Sequence, residues 1–483
     1  MMKAERGSRC SLSLLVLLAM LSPLLLSGQT ASQRLELPEA PRVPLTTIAL
    51  QSASLAVEGV QQSSQEPAAP SGTSDSPRLI LADAVKMAIK NNPGVSVARL
   101  LALAQHQVVR ETRAAELPTV TGNITAEDAA DGSRVSAGSL TASRLIEHAG
   151  AGAGFTQLIT DFGRTSNLVA SSKLQEKAQN AHALATTEDI VLAADQAFFN
   201  ALQAQALLKV ARQNVSTRQT TETQIGAMTK NKLKSTLDLS FADVNLSQAK
   251  LLLLDAQNNI DSTMAALDAV LGLDRQVDWE LVDGDVPLVA PPADADQLLQ
   301  VALKQRPDLE ALSFDQQAAV KFSRAQHDQM LPTISAAGTA GGVPVRPGEY
   351  YTQSWWGAVG VNVSIPIFNG FLYSAQAKEA SIRAQAASEQ SRDLRDQIAR
   401  DVRTAWLASN TAYQRVSVTA ELLKEANLAL RLAQTRYQLG LSSIVELSQA
   451  QLQQTDAAIG NTDAQYQYRL ALATLNYQIG ATP

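Results

Sequence analysis

The sequence predicts a mainly helical chain with a small β part, built as two copies of one pattern, and three observations carry that fold class. The first is an internal repeat. Pro93 and Leu117-Pro118 recur as Pro307 and Leu331-Pro332 at an offset of 214, and from Leu158 against Pro366 to Gly272 against Gly480 the offset is 208 without a gap. A unit of about two hundred residues is far too long for a solenoid repeat, so each copy reads as half of one object. The second is the scarcity of helix breakers. From Arg164 to Leu271 there is no proline and one glycine, Gly226, and from Phe371 to Ile479 there is no proline and only Gly440 and Gly460. The third is composition: aromatic residues make up 4%, while Ala, Gln, Leu and Ser fill long stretches. Helices packed on helices through small contact residues need that composition. At 483 residues the chain has the length of three ordinary domains, but elongated helices fit it better than bulky cores.

The elements follow in order. Lys3, Arg6 and Arg9 precede an apolar run from Leu12 to Leu26 that Pro23 interrupts, and small residues from Gly28 to Ala31 follow. This is the pattern of an export signal over residues 1–31, the alternative being a membrane anchor for which the run is short. Cys10, the only cysteine, lies ahead of the run and would leave with it, so neither disulfide nor thiolate chemistry is expected of the mature chain. Losing Lys3, Glu5, Arg6 and Arg9, a net +2, takes the formal charge from −6 to −8, which argues against nucleic acid as a partner. Residues 32–77, rich in Pro, Ser and Gln, lack a period and read as a disordered leader. No later segment approaches the ~18 to 20 apolar residues of a spanning helix. The first copy is assigned to 78–292 and the second to 293–483.

Within the first copy, Ala82 to Glu116 reads as one helix disturbed at Asn91-Asn92-Pro93 and stopped at Leu117-Pro118, because proline lacks the amide and clashes one turn back. Thr119 to Thr125 alternates polar and apolar residues with the period of a strand wet on one face, and a second strand returns over roughly Arg144 to Ile159. In the second copy Thr333 opens a strand. Trp355, Gly357, Val359, Val361, Val363, Ile365 and Ile367 line one face of the next, with Trp356, Ala358, Gly360, Asn362, Ser364 and Pro366 between them. A tilted strand of about 9 to 11 residues crosses a bilayer, so Trp355, Val359, Val361, Val363 and Ile365 are candidate lipid-facing residues. The alternative is a sheet packed on a soluble core. A helix from Gly163 to about Thr229 would run ~100 Å, which no single globule accommodates, so the long helices must pack side by side. Leu239, Ala242, Leu246, Ala249, Leu253, Ala256, Ile260, Thr263, Leu267 and Val270 step by three and four along the next helix as a heptad seam. The second copy repeats Leu447, Ala450, Ala457, Ala464 and Leu475, with Gln454, Asn461 and Tyr468 in place of apolar residues.

Four strands cannot close a barrel in lipid, where an open edge leaves amides unpaired at several kcal/mol each. Three chains supply twelve strands, an even number in the range of membrane barrels, with the helices continuing as a tube; two chains would supply eight. At this point the residues carry a resemblance. Leu81-Ala82-Asp83-Ala84-Val85 with Asn91-Asn92-Pro93, Ala302 to Leu309, Leu117-Pro118 and Leu331-Pro332, Gln157 to Arg164, and Pro366 to Gly370 resemble the outer-membrane efflux protein family, the TolC-like channels, over residues 79–480 in both copies. The resemblance implies a homotrimer with a twelve-stranded barrel in outer-membrane lipid and a long coiled-coil helical barrel in the periplasm of a Gram-negative bacterium. It also implies partnership with a periplasmic adaptor and an inner-membrane transporter, in efflux or type I secretion. Two departures stand out. The Gly-Gly-Arg usual after the second strand is here Phe162-Gly163-Arg164 and Gly370-Phe371-Leu372, which predicts a differently shaped corner, and no lipid-bearing cysteine opens the mature chain.

The same resemblance makes Tyr437 to Glu446 the periplasmic tip, where an aromatic ring and carboxylates narrow the entrance. Tyr437, Gly440 and Glu446 are the candidates in the second copy; in the first, Asp238 answers to Glu446, Lys232 to Gly440 and Lys234 to Ser442. Three chains would place six carboxylates around the mouth, a ring that favours cations. Ser443-x-x-Glu446 and Ser235-x-x-Asp238 are equally capping boxes, in which the acid satisfies helix amides and needs no pore role. His106, His148, His182 and His327 lie far apart without acids at metal-ligand spacing, and no glycine-rich phosphate loop follows a strand, so neither metal nor cofactor nor an enzyme's site is expected. The reading is a passive conduit. A structural coiled coil or adhesin is the competing class and an exported enzyme the third.

Overall fold

The computed structural model describes residues 77–128, 148–283, 288–345 and 353–481. The expected signal, all of the expected leader but Pro77, and the start of the second strand at Arg144 lie outside them. Two short strands and eight helices frame four longer strands: β1 (Arg78–Leu79), α1 (Leu81–Asn91), α2 (Pro93–Ala114), β2 (Thr119–Glu127), β3 (His148–Thr160), α3 (Arg164–Lys230), α4 (Thr236–Val270), β4 (Glu280–Leu281), α5 (Ala295–Gln305), α6 (Pro307–Asp328), β5 (Thr333–Val345), β6 (Trp355–Ser364), α7 (Leu372–Gln438) and α8 (Ile444–Gln478). The helices of the two copies agree residue for residue in length, at 11, 22, 67 and 35.

Two sequence expectations need correction. The helix read over Ala82–Glu116 is two helices. Pro93 takes the first position of α2, where its missing amide costs nothing, and the Asn92 side chain accepts the Gly94 N–H at 2.8 Å. A disturbance read within one helix is thus a new N-terminus. Strand β6 stops at Ser364, so Ile365 and Ile367 continue the alternation without belonging to the ladder; Pro366 has no N–H to give it. The two strand-to-helix corners, which depart in sequence from the usual Gly-Gly-Arg, share one backbone pattern. Phe162 and Gly163 both hold positive φ (56° and 114°), and so do Gly370 and Phe371 (62° and 65°).

The four longer strands form one antiparallel sheet in the order β2-β3-β5-β6. Directly paired residues share a face, and the register therefore sorts the side chains. Val120, Ile124, Ala151, Ala153, Phe155, Ile334, Ala336, Trp355, Val359, Val361 and Val363 fall on one side; Thr119, Thr121, Asn123, Thr125, Thr156, Thr339, Trp356, Asn362 and Ser364 fall on the other. No helix covers the apolar side, where Val359 is 80% and Ile124 88% exposed.

Next to the sheet, helix neighbours run α2, α3, α6, α7; farther along the long helices they run α4, α3, α8, α7. The α3–α6 contact is fastened by Ser171 Oγ donating to the Ala318 carbonyl at 2.8 Å and by Asn167 donating to Asp328 at 2.8 Å. On α4, Ala242, Leu246, Ala249, Ala256, Ile260 and Leu267 of the predicted seam are buried. Around the middle of the long helices, α1 adds Ala84 and Ala88 to Phe198, Leu267 and Leu271, and α5 and α6 add Ala302 and Leu309 to Ile398, Val402 and Leu475. Gly272 and Gly480, both at φ 69°, end α4 and α8 against the α1–α2 and α5–α6 breaks. A β-carbon at Gly272 would meet the Asn91 backbone at 3.1 Å, and one at Gly480 the Gln305 backbone at 3.1 Å.

Candidate functional site

The candidate tip residues lie where α3 turns into α4 and α7 into α8. Both turns close in the same way. The Leu233 N–H reaches the Met228 carbonyl at 2.9 Å and the Leu441 N–H the Arg436 carbonyl at 2.8 Å, six-to-one bonds of the Schellman type that require a left-handed residue just before. That residue is Lys232 (φ 57°) in the first turn and Gly440 (φ 75°) in the second. Both are exposed. Their correspondence, read at an offset of 208, is therefore one of backbone conformation.

At these turns Tyr437 joins the copies. Its side chain, 6% exposed, packs among Ile225, Ala242, Ala433, Ile444, Leu447 and Ala450, which come from α3, α4, α7 and α8. Lys234 lies over the ring with its Nζ 4.0 Å from the centroid, a cation–π contact across the two turns. Burial raises the phenol pKa first and the Asp238 carboxylate adds to it; the hydroxyl finds no hydrogen-bond partner in the protomer.

The two acids behave differently. Asp238 completes a capping box: the Leu237 N–H donates to Ser235 Oγ at 3.1 Å, and the Ser235 N–H donates to the Asp238 carboxylate at 3.3 Å. In the second copy only half of the box forms. The Glu446 N–H donates to Ser443 Oγ at 3.4 Å, while the Glu446 carboxylate accepts from Arg436 Nε at 3.0 Å. Arg436 also donates to the Leu441 carbonyl at 3.4 Å. Arg436 is not among the tip residues that the sequence singles out. Its signal was a basic residue in the last turn of α7, which favours a helix C-terminus, but nothing in the spacing of ten residues announces the pairing. The structure thus brings Tyr437, Lys234 and Asp238 together, pairs Glu446 with Arg436, and leaves Lys232 and Gly440 at the turns.

At the sheet end, Trp355, Val359, Val361 and Val363 share the apolar face. Ile365, also exposed, lies just past the strand. The edges of the sheet are β2 and β6, so on one side of each the backbone N–H and C=O groups meet no strand among the described residues. Three histidines pair with acids: His106 Nδ1 lies 2.7 Å from Glu176, His182 Nε2 3.4 Å from Asp315, and His327 Nδ1 3.7 Å from Asp328. No group of three or more metal-ligating side chains occurs among the described residues.

Two long-helix copies ending in a bare, two-faced sheet match known proteins throughout. The family of the outer membrane efflux protein matches residues 84–273 and 298–481. The outer membrane efflux protein BepC of Brucella suis biovar 1 is 22% identical over 353 residues, covering 72% of this chain and 74% of that protein. The outer membrane protein TolC of Vibrio cholerae serotype O1 is 23% identical over 420 residues, covering 83% and 90%. Among solved structures, that of CusC superposes with a TM-score of 0.74 at 20% identity over 83% of this chain and 92% of that one. With both copies matched in order, the chain belongs to the outer membrane efflux protein family and is an efflux channel of the outer membrane.

Proposed function

We propose that three copies of this chain close a twelve-stranded barrel in outer-membrane lipid and continue below it as a helical duct. The duct passively conducts cargo delivered by an inner-membrane transporter through a periplasmic adaptor. The observation that carries this reading is the sheet. One of its faces is apolar and bare, the opposite face is rich in hydroxyls and glycine, and both edges are unpaired. A soluble protein would cover such a face and protect such edges. In lipid the apolar face needs no cover, and pairing β6 of one copy with β2 of the next satisfies the edges.

The helices support the same closure. Leu237, Phe241, Val244, Leu251 and Leu254 form a second, exposed seam on α4, and Val418, Leu422, Leu428 and Leu432 form one on α7. These two helices end the row α4, α3, α8, α7 on opposite sides, which is the head-to-tail arrangement that closes a ring by rotation. In this arrangement α1, α5 and the loops beside them would thicken the wall, and the chain performs no covalent chemistry. Trp355, Val359, Val361, Val363 and Ile365 face lipid. Tyr437, Lys234 and Asp238, with Glu446 on Arg436 and the turns at Lys232 and Gly440, form the tip through which cargo enters.

The test is electrical and covalent. Purified protein in planar bilayers is expected to form conducting channels, and a cysteine pair placed at Val120 of β2 and Val361 of β6 should cross-link between copies into a trimer band. A protein that stays a water-soluble monomer with intact helices, or cross-links that stop at the dimer, would overturn the trimeric barrel.

A further inference from the structure

Trp355 and Trp356 are adjacent on β6 and therefore point to opposite faces. Trp355 joins the apolar face with Val359 and Val361, whereas Trp356 joins the hydroxyl-rich face with Asn123 and Thr339. A tryptophan near the end of a spanning strand is ordinary on the lipid side, where the indole sits at headgroup level. Nothing in the membrane calls for one on the inner face. The backbone nonetheless makes room for it. Trp356 opposes Gly341, and Gly341 opposes Gly152, so two successive strands lack a side chain beneath the ring. A β-carbon at Gly341 would meet Cζ2 of the indole at 2.8 Å, and one at Gly152 would meet it at 3.1 Å. The indole therefore lies flat across β5 and reaches β3. A recess of about 410 Å³ opens beside it, lined in part by Asn123, Thr125, Gly154 and Thr339.

We propose that Trp356 sets the bore and the shape preference of the barrel at the end away from the helices. This inference rests on the reading above, in which the hydroxyl-rich face lines the lumen. Held against the wall by Gly152 and Gly341, the indole keeps the passage wide and turns its π-face to passing cargo. Three copies would present three such platforms at one level, and a flat aromatic cation adds ring-on-ring stacking to the cation–π attraction that a compact quaternary ammonium also feels.

The experiment measures single-channel current and its block by ethidium, a flat aromatic cation, against tetraethylammonium, a compact one. The wild type is expected to favour block by ethidium, and Trp356→Ala to weaken that block at least about fivefold, the factor of ~1 kcal/mol of aromatic stacking, and to weaken block by tetraethylammonium, which can lose only a cation–π contact, by less. Gly152→Val should lift the ring into the lumen and lower conductance, and the double variant Gly152→Val with Trp356→Ala should restore it. Trp355→Ala, on the opposite face, should change neither. Conducting channels whose block is indifferent to Trp356→Ala, or a conductance loss in Gly152→Val that persists in the double variant, overturn the proposal alone. A wild-type protein that forms no channel overturns the barrel reading and takes the proposal with it.

Discussion

Lys232 holds the left-handed backbone that Gly440 holds at the matching turn, and a side chain pays for that conformation about 1 kcal/mol where glycine does not. Lys232 is exposed and makes no turn-closing bond through its side chain. Lys232→Gly is therefore expected to stabilise the first-copy tip by about 1 kcal/mol, read as roughly fivefold slower hydrogen exchange of the last amides of α3; unchanged or faster exchange would contradict it. Gly440→Ala should do the reverse in the last turn of α7. At this scale the sequence is legible where chemistry acts within four residues, as with the Ser235–Asp238 box. It is silent where a turn decides the partner. Glu446 has the spacing to cap α8, yet the six-to-one turn brings Arg436 within 3.0 Å, and a charged donor outcompetes a backbone amide for the carboxylate.

Helices were the most legible elements, because a run without proline and nearly without glycine has no reason to stop, and α3 ends within one residue of its expected limit at Thr229. The strand end was misread for a physical reason: alternation describes which way side chains point, while a ladder needs amide donors, and Pro366 supplies none. The α4 seam was readable as a stripe, but nothing in it names the neighbour, so that α3 rather than a second copy covers Ala249 had to come from the structure. Ala249 is buried, and its small size lets α3 approach. Ala249→Leu should overpack the seam and cost about 1 to 3 kcal/mol, seen as protease cleavage in the lower parts of α3 and α4 that Lys250→Ala, at an exposed neighbour, does not produce. The α3–α6 contact carries a pH dependence. The hydrogen bond from His182 to Asp315 raises the imidazole pKa against the opposing effect of burial. A raised native pKa means that the protonated pair's contribution is fully present below about 6.5, the unfolded value, and is lost as pH rises through the native one. The pair is nearly half exposed, so the effect is a few tenths of a kcal/mol. Hydrogen exchange across α3 and α6, corrected for the intrinsic rate, should quicken slightly between pH 6 and pH 8, and His182→Gln should flatten the trend.

For the molecule as a whole, the protomer leaves two exposed seams and two open strand edges on opposite sides, and a ring is the arrangement that uses all four. The duplication would make the proposed ring more regular than three subunits require, because each chain carries equal helices of 67 and 35 residues and so two matching tip turns. Electrostatics at that level differ from what the composition of the turns suggests. Six carboxylates were counted there from sequence, but Glu446 is paired with Arg436, and Asp238 is engaged as a cap beside Lys234. In the proposed trimer this pairing would leave three of the six acids largely offset. Removing the guanidinium should therefore strengthen the cation preference of the assembled channel. Taking a Debye length at 0.1 M salt, ~10 Å, as the distance to the axis, a unit charge is worth about 0.4 kcal/mol in water, and three of them, so screened, favour cations about twofold and disfavour anions about twofold, roughly a fivefold change in permeability ratio. Arg436→Gln is expected to shift the reversal potential in a salt gradient toward cations by that factor. Glu446→Gln in the same background should abolish the shift, and Asp238→Asn should lower cation preference further. Reversal potentials that ignore all three substitutions while the channel still conducts would mean that the turns face away from the current path and that these carboxylates serve the helices alone.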